Sequence, residues 1–172
     1  MSAQTLLRSA APALGALALA ASALAVAAPA HADERTCRGS LGAVEVDDLR
    51  VPRGATCTLT GTQVGGNVTV ADGATLVARR VDVEGNVQAE GHEKVVVRRS
   101  VVDGSVQLVQ GGAATIVANR VGSDVQSFEN RRAQTISDNR VDGNLQCKEN
   151  RPAPTGSGNV VEGNKEDQCR RL

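Results

Sequence analysis

The sequence predicts an all-β fold: a single-domain parallel β-solenoid (β-helix) of about six coils, each 19–20 residues long, with a disulfide at either end. Three observations predict it. A V-x-G-N-V/L-Q pattern returns at a fixed step, putting Val64, Val83, Val102, Val121, Val141 and Val161 in one column. Short apolar-polar alternations such as Val68-Thr69-Val70 are broken by Gly, Asn and Asp, which is the signature of strands and turns. Val dominates the apolar residues after position 32, and β-branched side chains suit a pleated sheet better than a helix.

The chain divides in order. MSAQTLLR carries one basic residue, Arg8, and the run from Ser9 to Ala30 is uncharged and rich in Ala. Ala30-His31-Ala32 has the small-x-small form of a cleavage site, so residues 1–32 read as a secretory signal removed after Ala32. Residues 33–44 are expected to form an N-terminal cap, 45–164 the repeats and 165–172 a C-terminal cap. After cleavage no membrane contact is expected, and the protein is predicted to be secreted, extracellular or associated with the cell wall.

A second column follows four residues after the first: Leu49, Val68, Val87, Val106, Val125 and Leu145. Leu76, Val96, Ile116 and Ile136 suggest a third, spaced by 20. A unit this short cannot hold two packed helices, but it can hold two or three short strands, stacked about 4.8 Å apart on their neighbours. Between the first two columns runs a polar one, Asn67, Asn86, Ser105, Asp124, Asn144 and Asn164, expected to bond main-chain groups and itself along the stack. Glycines such as Gly143 precede it and read as turn residues. Gln88, Gln107, Gln126 and Gln146 fall on an outer face, the candidate ligand column. In NRPAPTGSGN, Pro152 and Pro154 predict an irregular last coil, because proline removes ladder donors.

The units between Glu45 and Asn164 resemble the β-solenoid repeats of bactofilin-type polymer-forming proteins, set here in a small secreted protein of actinobacterial type. The resemblance implies a non-catalytic scaffold and, by analogy, a filament former.

Four cysteines in an exported chain read as two disulfides. Cys37 and Cys57 are one coil apart, as Cys147 and Cys169 nearly are, whereas any cross-end pair is more than four coils apart. The repeat therefore selects Cys37–Cys57 and Cys147–Cys169 and excludes a single four-cysteine zinc site. Pinned ends disfavour end-to-end joining, so a monomer is expected.

No constellation for chemistry emerges, and no enzyme, cofactor or metal is expected. His92 is the one histidine after residue 32. It is expected at the surface with Asp72 or Gly73 beneath it, forming an ion pair if the partner is Asp72. Glu84, Asp103, Asp142 and Glu162 make an acidic column, with Arg80, Arg99, Arg120 and Arg140 upstream as offsetting charges. Thr56, Thr75, Thr115, Thr135 and Thr155 nearly make a hydroxyl row. Residues 33–172 carry 18 basic and 19 acidic side chains and one aromatic, Phe128, so nucleic acid is not an expected partner. The expected function is a secreted structural or interaction module of the envelope or extracellular space, with cell-wall polysaccharide or an envelope protein as partner. The alternative is a carbohydrate-binding or carbohydrate-active β-helix protein.

Overall fold

The computed structural model describes residues 33–172, so the leader expected over residues 1–32 lies outside the described residues. The first coil is β1 (Glu34–Thr36), β2 (Gly39–Leu41) and β3 (Glu45–Val46). Then come β4 (Asp48–Val51), β5 (Thr56–Thr60), β6 (Gln63–Val64), β7 (Val68–Val70), β8 (Thr75–Arg79) and β9 (Asp82–Val83). The middle holds β10 (Val87–Glu90), β11 (Lys94–Arg98), β12 (Val101–Val102), β13 (Val106–Val109), β14 (Ala113–Val117) and β15 (Arg120–Val121). The last strands are β16 (Val125–Phe128), β17 (Gln134–Ser137), β18 (Arg140–Val141), β19 (Leu145–Lys148), β20 (Val160–Val161) and β21 (Lys165–Asp167).

Up to β19 every third strand stacks in parallel, and in the last coil β20 stacks on β18 and β21 on β19, giving a triangular parallel β-solenoid of eight-, six- and seven-stranded sheets, here the first, second and third. The third sheet receives one strand per coil, so there are about seven coils. The additional coil is the region expected as an N-terminal cap: β1 pairs with β4, and β2 with β5. At the other end β21, within the expected C-terminal cap, pairs with β19. The proline-rich segment behaves as expected: the second sheet stops at β17, leaving the single bridge Thr135–Thr155.

Alternation points one set of side chains inward, and these stack as columns. The Val64–Val161 and Leu49–Leu145 columns are in strict register. The column spaced by 20 is corrected. Leu76 stacks between Cys57 and Val95, while Val97, Ile116 and Ile136 form a separate inward column. Val96 faces outward between Val77 and Thr115, because Ala113–Val117 follows β11 by 19 residues and not 20. The threonine row splits for the same reason. Thr56 and Thr75 are followed by Lys94, whereas Thr115, Thr135 and Thr155 continue the row of Thr58, Val77 and Val96.

The predicted disulfides close the two ends, with Cα–Cα distances of 5.6 Å for Cys37–Cys57 and 5.2 Å for Cys147–Cys169. Neither joins register partners. Gly39 lies opposite Cys57 and Asp167 opposite Cys147, so each bond reaches two residues along the chain. At the C-terminus a turn, closed by Cys169 N–H donating to the Glu166 carbonyl at 3.0 Å, folds the cysteine beneath the last coil. Both disulfides fit an oxidising compartment.

Candidate ligand-binding groove

The outer side chains of the first sheet form the column Thr36, Arg50, Thr69, Gln88, Gln107, Gln126, Gln146 and Glu166. The structure thus brings the four predicted glutamines into one row. Gln88 Nε2 donates to Gln107 Oε1 at 3.3 Å, Gln126 Nε2 to Gln146 Oε1 at 3.0 Å, and Gln146 Nε2 to Glu166 Oε2 at 2.9 Å. Amide side chains suit this row because each can donate to one neighbour and accept from the other.

A groove of about 930 Å³ runs over the N-terminal half of this face, with Arg50, Thr69, Gln88 and Gln107 along its floor and Arg53 and Asp72 on its rim. The rim charges neutralise each other in an ion pair of 3.1 Å. Beside the glutamines a second outer column holds Glu90, Val109, Phe128 and Lys148. Phe128, the only aromatic, is therefore half-buried on the same face as Gln126 rather than in the core. The alternation V-Q-S-F in β16 carries that signal, but composition alone hides it.

The groove's backbone is held by the corner between the third and first sheets, where the asparagine ladder forms as predicted. The N–H of Asn67 donates to Asp48 Oδ1 at 2.6 Å, that of Asn86 to Asn67 Oδ1 at 3.0 Å, and that of Ser105 to Asn86 Oδ1 at 2.8 Å. Asp124, Asn144 and Asn164 continue it. The glycines that precede this ladder serve it by leaving room. A Cβ on Gly143 would lie 2.5 Å from Asp124 Oδ1, and Gly143 is not among the residues with positive φ. Close approach, not turn conformation, requires glycine there.

Two further ladders were not foreseen. At the corner between the second and third sheets, the N–H groups of Ser100, Asn119 and Asn139 donate to the side-chain oxygens of Asn119, Asn139 and Asn159 at 3.0–3.1 Å. Between the first and second sheets, Gly111, Asn130 and Asn150 donate likewise to Asn130, Asn150 and Gln168. Each of these asparagines also uses Nδ2 to bond a carbonyl of the coil below, as Asn119 does to Val97 at 2.9 Å. The signal was the asparagine recurring at 119, 139 and 159, and at 130 and 150.

His92 is not at the surface: it is 1% exposed, and neither ring nitrogen has a hydrogen-bond partner among the described residues. The expected pairing with Asp72 does not form, since Asp72 bonds Arg53. Burial pushes the imidazole pKa below its ordinary value, with the nearby Ala89 carbonyl and Glu93 carboxylate pulling the other way. Gly111 lies over the ring, where a Cβ would come within 2.2 Å of it.

The four arginines expected as one offsetting column divide into two. Arg120 and Arg140 stack in the third sheet and meet Asp142 at 3.2 and 3.4 Å, and Arg140 also pairs with Glu162. Arg80 and Arg99 occupy the preceding corner and enter no ion pair among the described residues. Among the described residues no group of three or more His, Cys, Asp or Glu side chains is placed to hold a metal ion, and no helix is long and apolar enough to cross a membrane. The chain matches no protein-family model, no curated protein and no solved structure.

Proposed function

We propose that the protein is a secreted, non-catalytic interaction scaffold that holds an extended partner along the outer face of its first sheet. One observation carries this reading: the aligned amide row Gln88–Gln107–Gln126–Gln146, repeating once per coil and flanked by an open groove. A row with the period of the stack offers the same donors and acceptors at each step, which suits a polymer lying along the axis. The partner is cell-wall polysaccharide or an extended segment of an envelope protein, met outside the cell, where the disulfides persist.

The saccharide version has support of its own. Phe128 presents its ring beside Gln126, so one apolar platform stands next to planar amide groups, a combination that recognises a sugar's face and its hydroxyls together. Bactofilin-like end-to-end assembly is the lesser reading. At the C-terminal end Lys165 Nζ bonds the Asn159 and Leu172 carbonyls, and Leu172 is buried, which occupies the surface a following copy would need.

The test is retention of the purified protein on isolated cell walls and on a panel of immobilised glycans. Gln88→Ala with Gln107→Ala should release it while leaving the melting temperature within a few degrees. Unaltered retention of that double variant would refute the groove as the site, and rods in the electron microscope would favour the filament.

A further inference from the structure

A different surface, at the corner between the second and third sheets, carries a concentration of charge that the fold itself does not use. Arg79 and Arg98 are direct register partners at the ends of β8 and β11, on the outer face of the second sheet. Arg80 and Arg99 follow them at the corner, with φ of 51° and 52°. All four are exposed. On two coils about 4.8 Å apart they make a two-by-two array of guanidinium groups. None of the four takes part in an ion pair or donates a side-chain hydrogen bond among the described residues, although Asp82 lies only two positions beyond Arg80. Lys94, at the start of β11, adds a fifth cation on the same face.

This arrangement is costly and brings no return within the molecule. Like charges directly opposite on neighbouring strands destabilise a sheet. Left-handed backbone at a non-glycine residue is a further cost, and the same column begins with glycine at Gly61, so the alternative was within reach. The contrast with Arg120 and Arg140 is direct, since those stack equally but each meets a carboxylate. Where stacked arginines lack internal partners, an external anion with matched spacing can satisfy them, because a planar guanidinium donates to two oxygens of one oxyanion at once.

We propose that this corner binds an acidic polysaccharide, the four guanidinium groups engaging oxyanions on successive sugars. The surroundings favour a glycan over a nucleic acid. Hydroxyls flank the array, with Thr60 one coil below Arg79 and Thr58 and Thr115 in the adjoining outer row. The phenylalanine ring lies on another sheet, so the corner offers no aromatic platform of the kind that binds successive bases. The inference goes beyond the glutamine groove and stands or falls without it.

The test measures binding of the purified protein to polygalacturonate and to dextran sulfate at low ionic strength, with neutral dextran and a DNA duplex as comparisons. Binding to at least one acidic polymer is expected, with none to neutral dextran and a steep loss on adding salt. Arg79→Gln with Arg98→Gln, and separately Arg80→Gly with Arg99→Gly, should each weaken it by at least about tenfold. Arg120→Gln with Arg140→Gln should change it less than about twofold, since those charges are already paired. The glycine pair supplies an internal control: removing both left-handed arginines should raise the melting temperature by about 4–8 °C while binding falls, so lost binding cannot be lost folding. Failure to bind either acidic polymer, equal loss in the Arg120 and Arg140 variant, or duplex DNA binding as tightly would each overturn the proposal.

Discussion

At the scale of single residues, the corners place side chains in conformations that a flat reading of the sequence does not suggest. Ala118 continues the left-handed column of Arg80 and Arg99, with φ of 58°. An L-residue there costs about 1–2 kcal/mol, part of which glycine would give back as backbone entropy. Ala118→Gly should therefore stabilise by about 1 kcal/mol, read as an upward shift of the urea midpoint at unchanged slope. His92 makes the opposite kind of residue-scale statement. Its folded pKa is depressed, so below pH 6.5 the unfolded chain takes up a proton that the folded chain resists. The stability owed to the neutral ring is complete above that pH. It declines as pH falls from 6.5 and levels off below the folded pKa. Denaturant titrations across that range should show this acid limb, and His92→Leu should flatten it. Gly111→Ala should destabilise by about 1–3 kcal/mol, since its Cβ would enter the ring, and His92→Ala in the same chain should relieve part of that loss.

At the scale of elements, the unit that matters is the column rather than the strand. Strands of two to five residues have little stability of their own, and their corners leave N–H and C=O groups without ladder partners. The buried asparagines supply those partners. Asn139 accepts from both the N–H and the Nδ2 of Asn119, and it donates to the Ile116 carbonyl at 2.8 Å. Asn139→Ala should cost about 3 kcal/mol or more, because it orphans several buried groups at once. Asn164→Ala, at an exposed position of the first ladder, should cost less than half as much. Thermal unfolding of the two variants side by side checks the order. The first ladder was legible because its asparagines adjoin the conserved step of glycine and valine within this one chain. The inner ladders were not, since an Asn before Arg in a polar stretch reads equally well as a solvated turn.

At the scale of the whole molecule, contacts run between neighbouring coils, so stability is distributed along one axis and fails from the ends. A disulfide closing a loop of 20 residues contributes about 3 kcal/mol by the chain-entropy account. Replacing Cys37 and Cys57 with Ser should therefore raise amide exchange in β1 to β6 well before it does so in β13 to β18, and the Cys147 and Cys169 pair should show the reverse. Uniform loss of protection in either variant would mean that the coils unfold as one unit. The core also changes character along the axis. Leu49, Leu59 and Leu76 fill the early coils, whereas Ser127, Gln134 and Asn150 are buried in the later ones. The C-terminal half consequently depends more on hydrogen bonds, and less on apolar area, than the N-terminal half.

The residues alone determined the period, the parallel stacking, the pairing of cysteines and the row of four glutamines, because each follows from one step repeated along the chain. Only the folded structure decided where that step is 19 and where it is 20 on each side of the triangle. A shift of one residue turns a side chain from inside to outside. That is why Val96 faces outward and His92 lies beneath the surface. Arg120, the register partner of Val101, sits two positions further along its coil than Arg99 does.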